Sequence, residues 1–183
     1  HLDEAITVRD VLPNVEIGIL NGLLPDEMSY YPEYNFLPVL NDLGQVMAWQ
    51  KYCQNNTPMP AAMQIDTGMA RLGMPESEAK ILASDKSLMD AVPLKYLMSH
   101  LACPDEPDHP LNRQQQQDFA DWVKIWPEPT AMLAASSGIF LGPDWHFDMV
   151  RPGVALYGAA PNENGPNPLK CRKKNDKKRE ADE

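Results

Sequence analysis

The chain has 183 residues, 43% of them hydrophobic, and a formal net charge of −10 at pH 7. That length suits one domain with a substantial core, while the negative charge argues against a polynucleotide or an anionic membrane surface as partner. Cys53, Cys103 and Cys171 are odd in number and far apart, with no CxxC pair, so neither a disulfide framework nor a zinc knuckle is indicated.

In chain order, the opening "HLDEAITVRD" has neither the charged start nor the apolar middle of a signal peptide, and no apolar run approaches a membrane span. A cytoplasmic location is therefore expected; the opening also reads as starting mid-element, as a fragment would. "VEIGIL", ending at Leu20, and "FLPVL", ending at Leu40, read as buried strands. "NDLGQVMAWQKYC" follows as a helix with Leu43, Val46 and Met47 on one face. "AAMQI", ending at Ile65, is the next strand, and a helix begins near Ser77 with its apolar face starting at Ile81 and Leu82. "LKYLM" ends a fourth strand at Met98. "NRQQQQDFADWVKIW" then places Phe119, Trp122, Val123 and Trp126 at helical spacing, with Asn112 and Gln115 resembling a capping box at its start. "AMLAA", ending at Ala135, and "DMVRPGVALYG", ending at Gly158, read as two more strands. The closing "KCRKKNDKKREADE" holds seven basic and four acidic residues and reads as a disordered tail over 170–183.

Strand and helix in alternation imply βα units and a parallel sheet. Polar groups follow the strands each time: Asn21 and Gly22, Asn41 and Asp42, Asp66 to Gly68, Ser99 and His100, Ser136 to Gly138. A barrel collects such strand ends on one rim, where barrels place their chemistry. An open doubly wound sheet produces the same pattern, but its GxGxxG loop is absent. Asp66 and Thr67 thus read as part of a site, the plainer alternative being that they cap the turn at Gly68.

Four signals point elsewhere and are weaker. A single "DTG" in a chain with helices lacks the second aspartate that an aspartic protease pairs with it. "SEAK", Ser77 to Lys80, matches an SxxK nucleophile but reads as the first turn of a helix. "NNT" at Asn55 is a glycosylation sequon only in a secreted protein. "CPDEPDH", with Asp105, Glu106, Asp108 and His109, reads as an acidic surface loop rather than a metal site.

Three stretches taken together, "IDTGMARLG" (65–73), "SHLACPDEPDHPLN" (99–112) and "SSGIFLGPDWHFDMVRPGVALYG" (136–158), resemble the pyridoxal-phosphate alanine racemases in order and spacing. "LNGLLP" and "LPVLN" resemble two further segments of that family. The resemblance covers residues 1–169 and implies an α/β fold: a partial (β/α)8 TIM-type barrel of parallel strands that lacks its first strands. It implies an isomerase that interconverts L- and D-alanine, a peptidoglycan precursor, through an aldimine with pyridoxal phosphate, and a homodimer for the full-length family member. A non-catalytic pyridoxal-phosphate-binding barrel, or an inert barrel remnant, is the alternative.

Residue by residue, the resemblance implies that Arg71 faces the cofactor's phenolic oxygen and the substrate carboxylate, supported by His100. Ser136 and the backbone amides of Gly153 and Val154 would hold the phosphate, and Arg151 would donate to the pyridine nitrogen. An arginine there does not readily protonate the ring, so racemisation leans on well-placed bases. Tyr157 reads as packing, and no metal is implied. Two positions depart from the family: Gln64 stands where many members carry a carbamylated lysine, and Ala135 where an Asn usually precedes the serine. The family's Schiff-base lysine and its partner-supplied tyrosine have no counterpart in this stretch. The chain alone is therefore expected to be inactive, with exposed strand edges.

Overall fold

In a computed structural model, which describes residues 1–160, five parallel strands form one sheet in the order of the sequence. They are β1 (Ile17–Ile19), β2 (Phe36–Leu40), β3 (Ala61–Gln64), β4 (Leu94–Met98) and β5 (Thr130–Met132). The helices are α1 (Leu2–Val11), α2 (Tyr30–Tyr34), α3 (Leu43–Asn55), α4 (Glu76–Ser84), α5 (Pro110–Ile125) and α6 (Ser136–Ile139). Every strand lies beside its predecessor and the order never reverses. That sequence of pairings is an arc of a β/α barrel rather than a doubly wound sheet, as expected. The tail expected over 170–183 and the end of the expected barrel domain, 161–169, lie outside the described residues. Among the described residues no helix is long and apolar enough to cross a membrane.

Side chains alternate across the sheet, as the two-residue period of a strand demands. Phe36, Leu40, Ala61, Met63, Leu97, Ala131 and Leu133 face the helices and join the main core. Leu37, Val39, Ala62, Met98 and Met132, with Tyr96 against them, form a second, smaller cluster on the other face. Pro38 sits within β2 without an N–H to donate. The strand pairs with β1 through Phe36 to Pro38 and with β3 only from Val39 onward. Between β3 and β4 the register slips at Ala61/Ala62, which leaves Lys95 as the extra residue.

The helices bury stripes set by the 3.6-residue repeat. On α3 these are Val46, Trp49 and Cys53, with Trp49 edge-on to Tyr31 at 5.7 Å. Leu43 is only partly buried and Met47, expected on the same face, is 51% exposed. Asp42 caps α3 by accepting from the Gln45 amide at 2.8 Å. Ser77 and Lys80 fall in the first turns of α4, as expected; there Ala79 and Leu82 are buried and Ile81 is exposed.

The buried stripe of α5 runs Asn112, Gln115, Phe119, Trp122, polar at its first turns and apolar below. This corrects the capping box: His109 is the N-cap, its Nδ1 accepting from the Leu111 amide at 3.2 Å, while Asn112 and Gln115 point inward. The sixth expected strand is also corrected. Arg151 makes a single parallel bridge to Ala135, and the chain then turns into a 3-10 helix over Val154–Tyr157. Pro152 and Gly153 interrupt the apolar run there, since one lacks an N–H and the other, at φ −115° and ψ −90°, leaves the strand region. Tyr157, read as packing, is 89% exposed.

Replacing Phe119, fully buried and edge-on to Phe147 at 4.8 Å, by alanine is expected to cost about 3–5 kcal/mol. Met47→Ala, half exposed, is expected to change stability by less than about 0.5 kcal/mol. Urea unfolding of both variants checks the pair.

Candidate functional site

The segment after β3 is a loop closed at its neck. The Met74 amide donates to the Gln64 carbonyl at 2.7 Å and the Asp66 amide to the Met74 carbonyl at 2.9 Å. Inside the neck, Gln64 Nε2 donates to the Leu72 carbonyl at 2.8 Å. Gln64 thus holds the backbone beside Arg71. Gly73, at φ +114°, lets the two sides meet: a Cβ there would lie 2.9 Å from the Asp66 nitrogen.

Asp66 caps this turn, the plainer of its two readings. Its Oδ1 accepts from the Gly68, Met69 and Ala70 amides at 2.9, 2.8 and 3.1 Å. Thr67 instead reaches the next strand end, its Oγ1 lying 2.8 Å from Ser99 Oγ. Arg71 emerges from the loop exposed.

His100 follows β4 and is partly buried. Burial is the main cause that pushes its imidazole down to about 4, and the charges of Arg151 and Arg71 add to it. The ring is therefore neutral at physiological pH and lies within electrostatic reach of both guanidiniums. Arg151 itself is held by carbonyls rather than by an acid. Its Nη2 donates to the Ser99 carbonyl and, at 3.1 Å, to the Leu133 carbonyl, so it joins the ends of β4 and β5. Burial pushes its guanidinium down to about 10, and its buried Nε has no hydrogen-bond partner among the described residues.

Ser136 begins α6, just past β5, and is buried. Its Oγ accepts from the Gly153 amide at 2.9 Å and from the Ala155 amide at 3.2 Å. Apart from its chain neighbours, nothing lies within 4 Å of where a Gly153 Cβ would stand. Val154 sits between the two donors with its side chain half exposed. Ala155 was missed because an alanine amide leaves no signature in a sequence. Ala135, the N-cap of α6, brings no side-chain cap. Among the described residues no group of three or more His, Cys, Asp or Glu could hold a metal ion.

Strand ends thus bring Arg71, His100, Arg151 and Ser136 to one rim, the arrangement of a β/α barrel. The chain matches the family described as "Alanine racemase, N-terminal domain" over residues 1–161. It is 42% identical over 172 residues to the catabolic alanine racemase of Agrobacterium fabrum, covering 93% of this chain and 44% of that one. To the catabolic alanine racemase of Mesorhizobium japonicum it is 44% identical, over 92% of this chain and 45% of that protein. The solved alanine racemase of Bartonella henselae, with covalently bound pyridoxal phosphate, superposes with a TM-score of 0.87 at 37% identity, over 93% of this chain and 50% of that one. The biosynthetic alanine racemase of Pseudomonas aeruginosa superposes at 0.78 and 27% identity, over 92% and 47%. The chain belongs to the alanine racemase family, in its N-terminal barrel domain, and spans about half the length of the relatives it matches.

His100 sets a pH dependence. Between pH 6.5 and about 4 the unfolded chain takes up a proton that the folded imidazole refuses. Its contribution to stability is therefore full above pH 6.5 and is lost as pH falls through that window. His100→Gln is expected to flatten this part of the stability curve, measured by urea unfolding at a series of pH values.

Proposed function

We propose that the rim binds pyridoxal phosphate and that the protein is an alanine racemase, acting as a homodimer in the cytoplasm. One observation carries the reading: the partly buried Arg151 keeps a buried Nε–H with no partner among the described residues, beside a serine held by two backbone amides. An aromatic ring nitrogen suits the first and a phosphate the second. Ser136 Oγ accepts both amides, so its own hydroxyl proton remains to donate to an anion. The open space at Gly153 lets a phosphate approach the backbone. The Bartonella henselae relative's bound cofactor supports the same assignment.

When bound, pyridoxal phosphate spreads the electron pair left on an amino acid's α-carbon once its proton is removed. The chain's own residues orient the reactants. Arg71, exposed on its tied loop, offers a planar fork to the alanine carboxylate. His100, neutral between two cations, adds no third positive charge to that end of the site. Arg151, as a hydrogen-bond donor that keeps its proton, leaves the proton transfers to bases on either face of the substrate.

Those bases are not supplied by the described lysines. Lys51, Lys80 and Lys124 lie on helices, Lys86 in a 3-10 turn and Lys95 in the amino-terminal half of β4, away from the rim. The 183-residue chain by itself is therefore expected to bind the cofactor reversibly, with none of these five lysines fixed by borohydride and no D-alanine formed. The protein as its gene encodes it is expected to form D-alanine from L-alanine only with pyridoxal phosphate, and Arg71→Met to raise the KM for alanine at least about tenfold, the strength of one charged hydrogen bond. Racemisation without the cofactor, or an unchanged KM, would overturn the reading.

A further inference from the structure

Gln115 is fully buried, yet it lies on the inward stripe of α5 directly above Phe119. A buried carboxamide persists only where its polar atoms are matched, and each of these bonds leads to the rim. Its Oε1 accepts from the Ala102 amide at 2.8 Å, and its Nε2 donates to the His100 carbonyl at 2.9 Å. The backbone is thus pinned at the carbonyl of His100 itself and at the amide two residues on, directly after the Cα that carries the ring. The same Nε2 donates to Thr67 Oγ1 at 3.2 Å, four residues before Arg71 on the neck-closed loop. Thr67 in turn pairs with Ser99 Oγ, and the Ser99 carbonyl receives Arg151. The carbons of Gln115 also back Gly68, where an added Cβ would meet its Cγ at 3.7 Å.

One side chain therefore ties the segment after β3 to the segment after β4, and both to the Arg151 clamp. We propose that Gln115 is a positioning residue that sets the placement of His100 against the Arg71 loop, and so the geometry with which the rim receives the substrate carboxylate. The kinetic part rests on the racemase reading above; the geometric part does not. Gln115 touches neither substrate nor cofactor. It acts by fixing the His100 and Thr67 ends of the two segments, and through them the Arg71 loop.

The test compares Gln115→Met, which keeps volume and removes every hydrogen bond, with Gln115→Glu, which keeps the acceptor for Ala102. Phe119→Leu, one turn along the same stripe, reports general loosening of α5. Titration of the His100 ring by NMR in this chain needs no activity. The ring is flanked by Arg71 and Arg151, and its midpoint is expected to rise by at least about one pH unit toward the ordinary value in Gln115→Met, while Phe119→Leu titrates as wild type. In the protein as its gene encodes it, the KM for alanine is expected to rise about tenfold in Gln115→Met, with kcat changed less than about threefold and Gln115→Glu between the two. If Gln115→Met does not fold, Gln115→Leu takes its place in the same assays against Phe119→Leu, and Gln115→Glu is read by KM alone, since its carboxylate shifts the His100 midpoint by its own charge. A lowered melting temperature with an unmoved His100 midpoint would reduce Gln115 to packing and overturn the proposal. A shifted midpoint in a protein with no racemisation would sustain the positioning role and overturn the racemase reading instead.

Discussion

The rim is organised around a positive charge, drawn partly out of water, that no carboxylate pairs with among the described residues. Removing a guanidinium from water is costly unless its N–H groups find acceptors, and Arg151 finds two, the carbonyls of Ser99 and Leu133. Those acceptors sit past the ends of two neighbouring strands, so the bond that solvates the charge also fixes β4 against β5. The backbone continues the tie, with the Arg151 amide donating to the Ala134 carbonyl at 2.9 Å. The buried Nε has no partner among the described residues, and in the proposed reading it meets the cofactor's ring nitrogen. A residue that holds the scaffold thereby also defines what the scaffold can bind.

From that clamp the site extends in two directions. Toward β5, Pro152 and Gly153 turn the chain so that two amides donate to Ser136 Oγ at the start of α6. Toward β3, Ser99 passes the connection to Thr67, and the neck-closed loop carries Arg71 out to solvent. The loop is stiffened from within: Asp66 occupies three amides and Gln64 holds the Leu72 carbonyl. Gln64 therefore steadies Arg71 through the backbone, by a neutral hydrogen bond rather than by a charge. Burial first, and then both cations, keep His100 unprotonated at physiological pH.

Much of this was legible in the sequence because strand periodicity and the polar residues after each strand are local signals. "FLPVL", "AAMQI" and "LKYLM" became β2, β3 and β4, and the Arg71 loop after β3 and His100 after β4 lie at the rim, while Asp42 and Asp66 serve as caps. Phe119, Trp122 and Trp126 were readable at helical spacing. Misreadings arose where local chemistry and tertiary need diverge. Gln115 shares the stripe of Phe119 and Trp122, so its burial was readable, but its polarity suggested a cap; only the loops of β3 and β4 show why a buried amide is needed. Met47 was apolar yet faced solvent. "VRPGVALYG" was apolar enough for a strand, but Pro152 and Gly153 left it one bridge. The Ala155 amide had no signal at all.

The most direct measurement is the dissociation constant of pyridoxal phosphate, followed by quenching of tryptophan fluorescence, for the wild-type chain, Arg151→Met and Ser136→Ala. If the Arg151 guanidinium and the amide-held serine form the binding rim, each substitution weakens binding by about tenfold or more, the strength of one charged hydrogen bond. Ser136→Ala should then leave the affinity for pyridoxal, which has no phosphate, unchanged. Equal dissociation constants in all three proteins would contradict the assignment of this rim as the cofactor site.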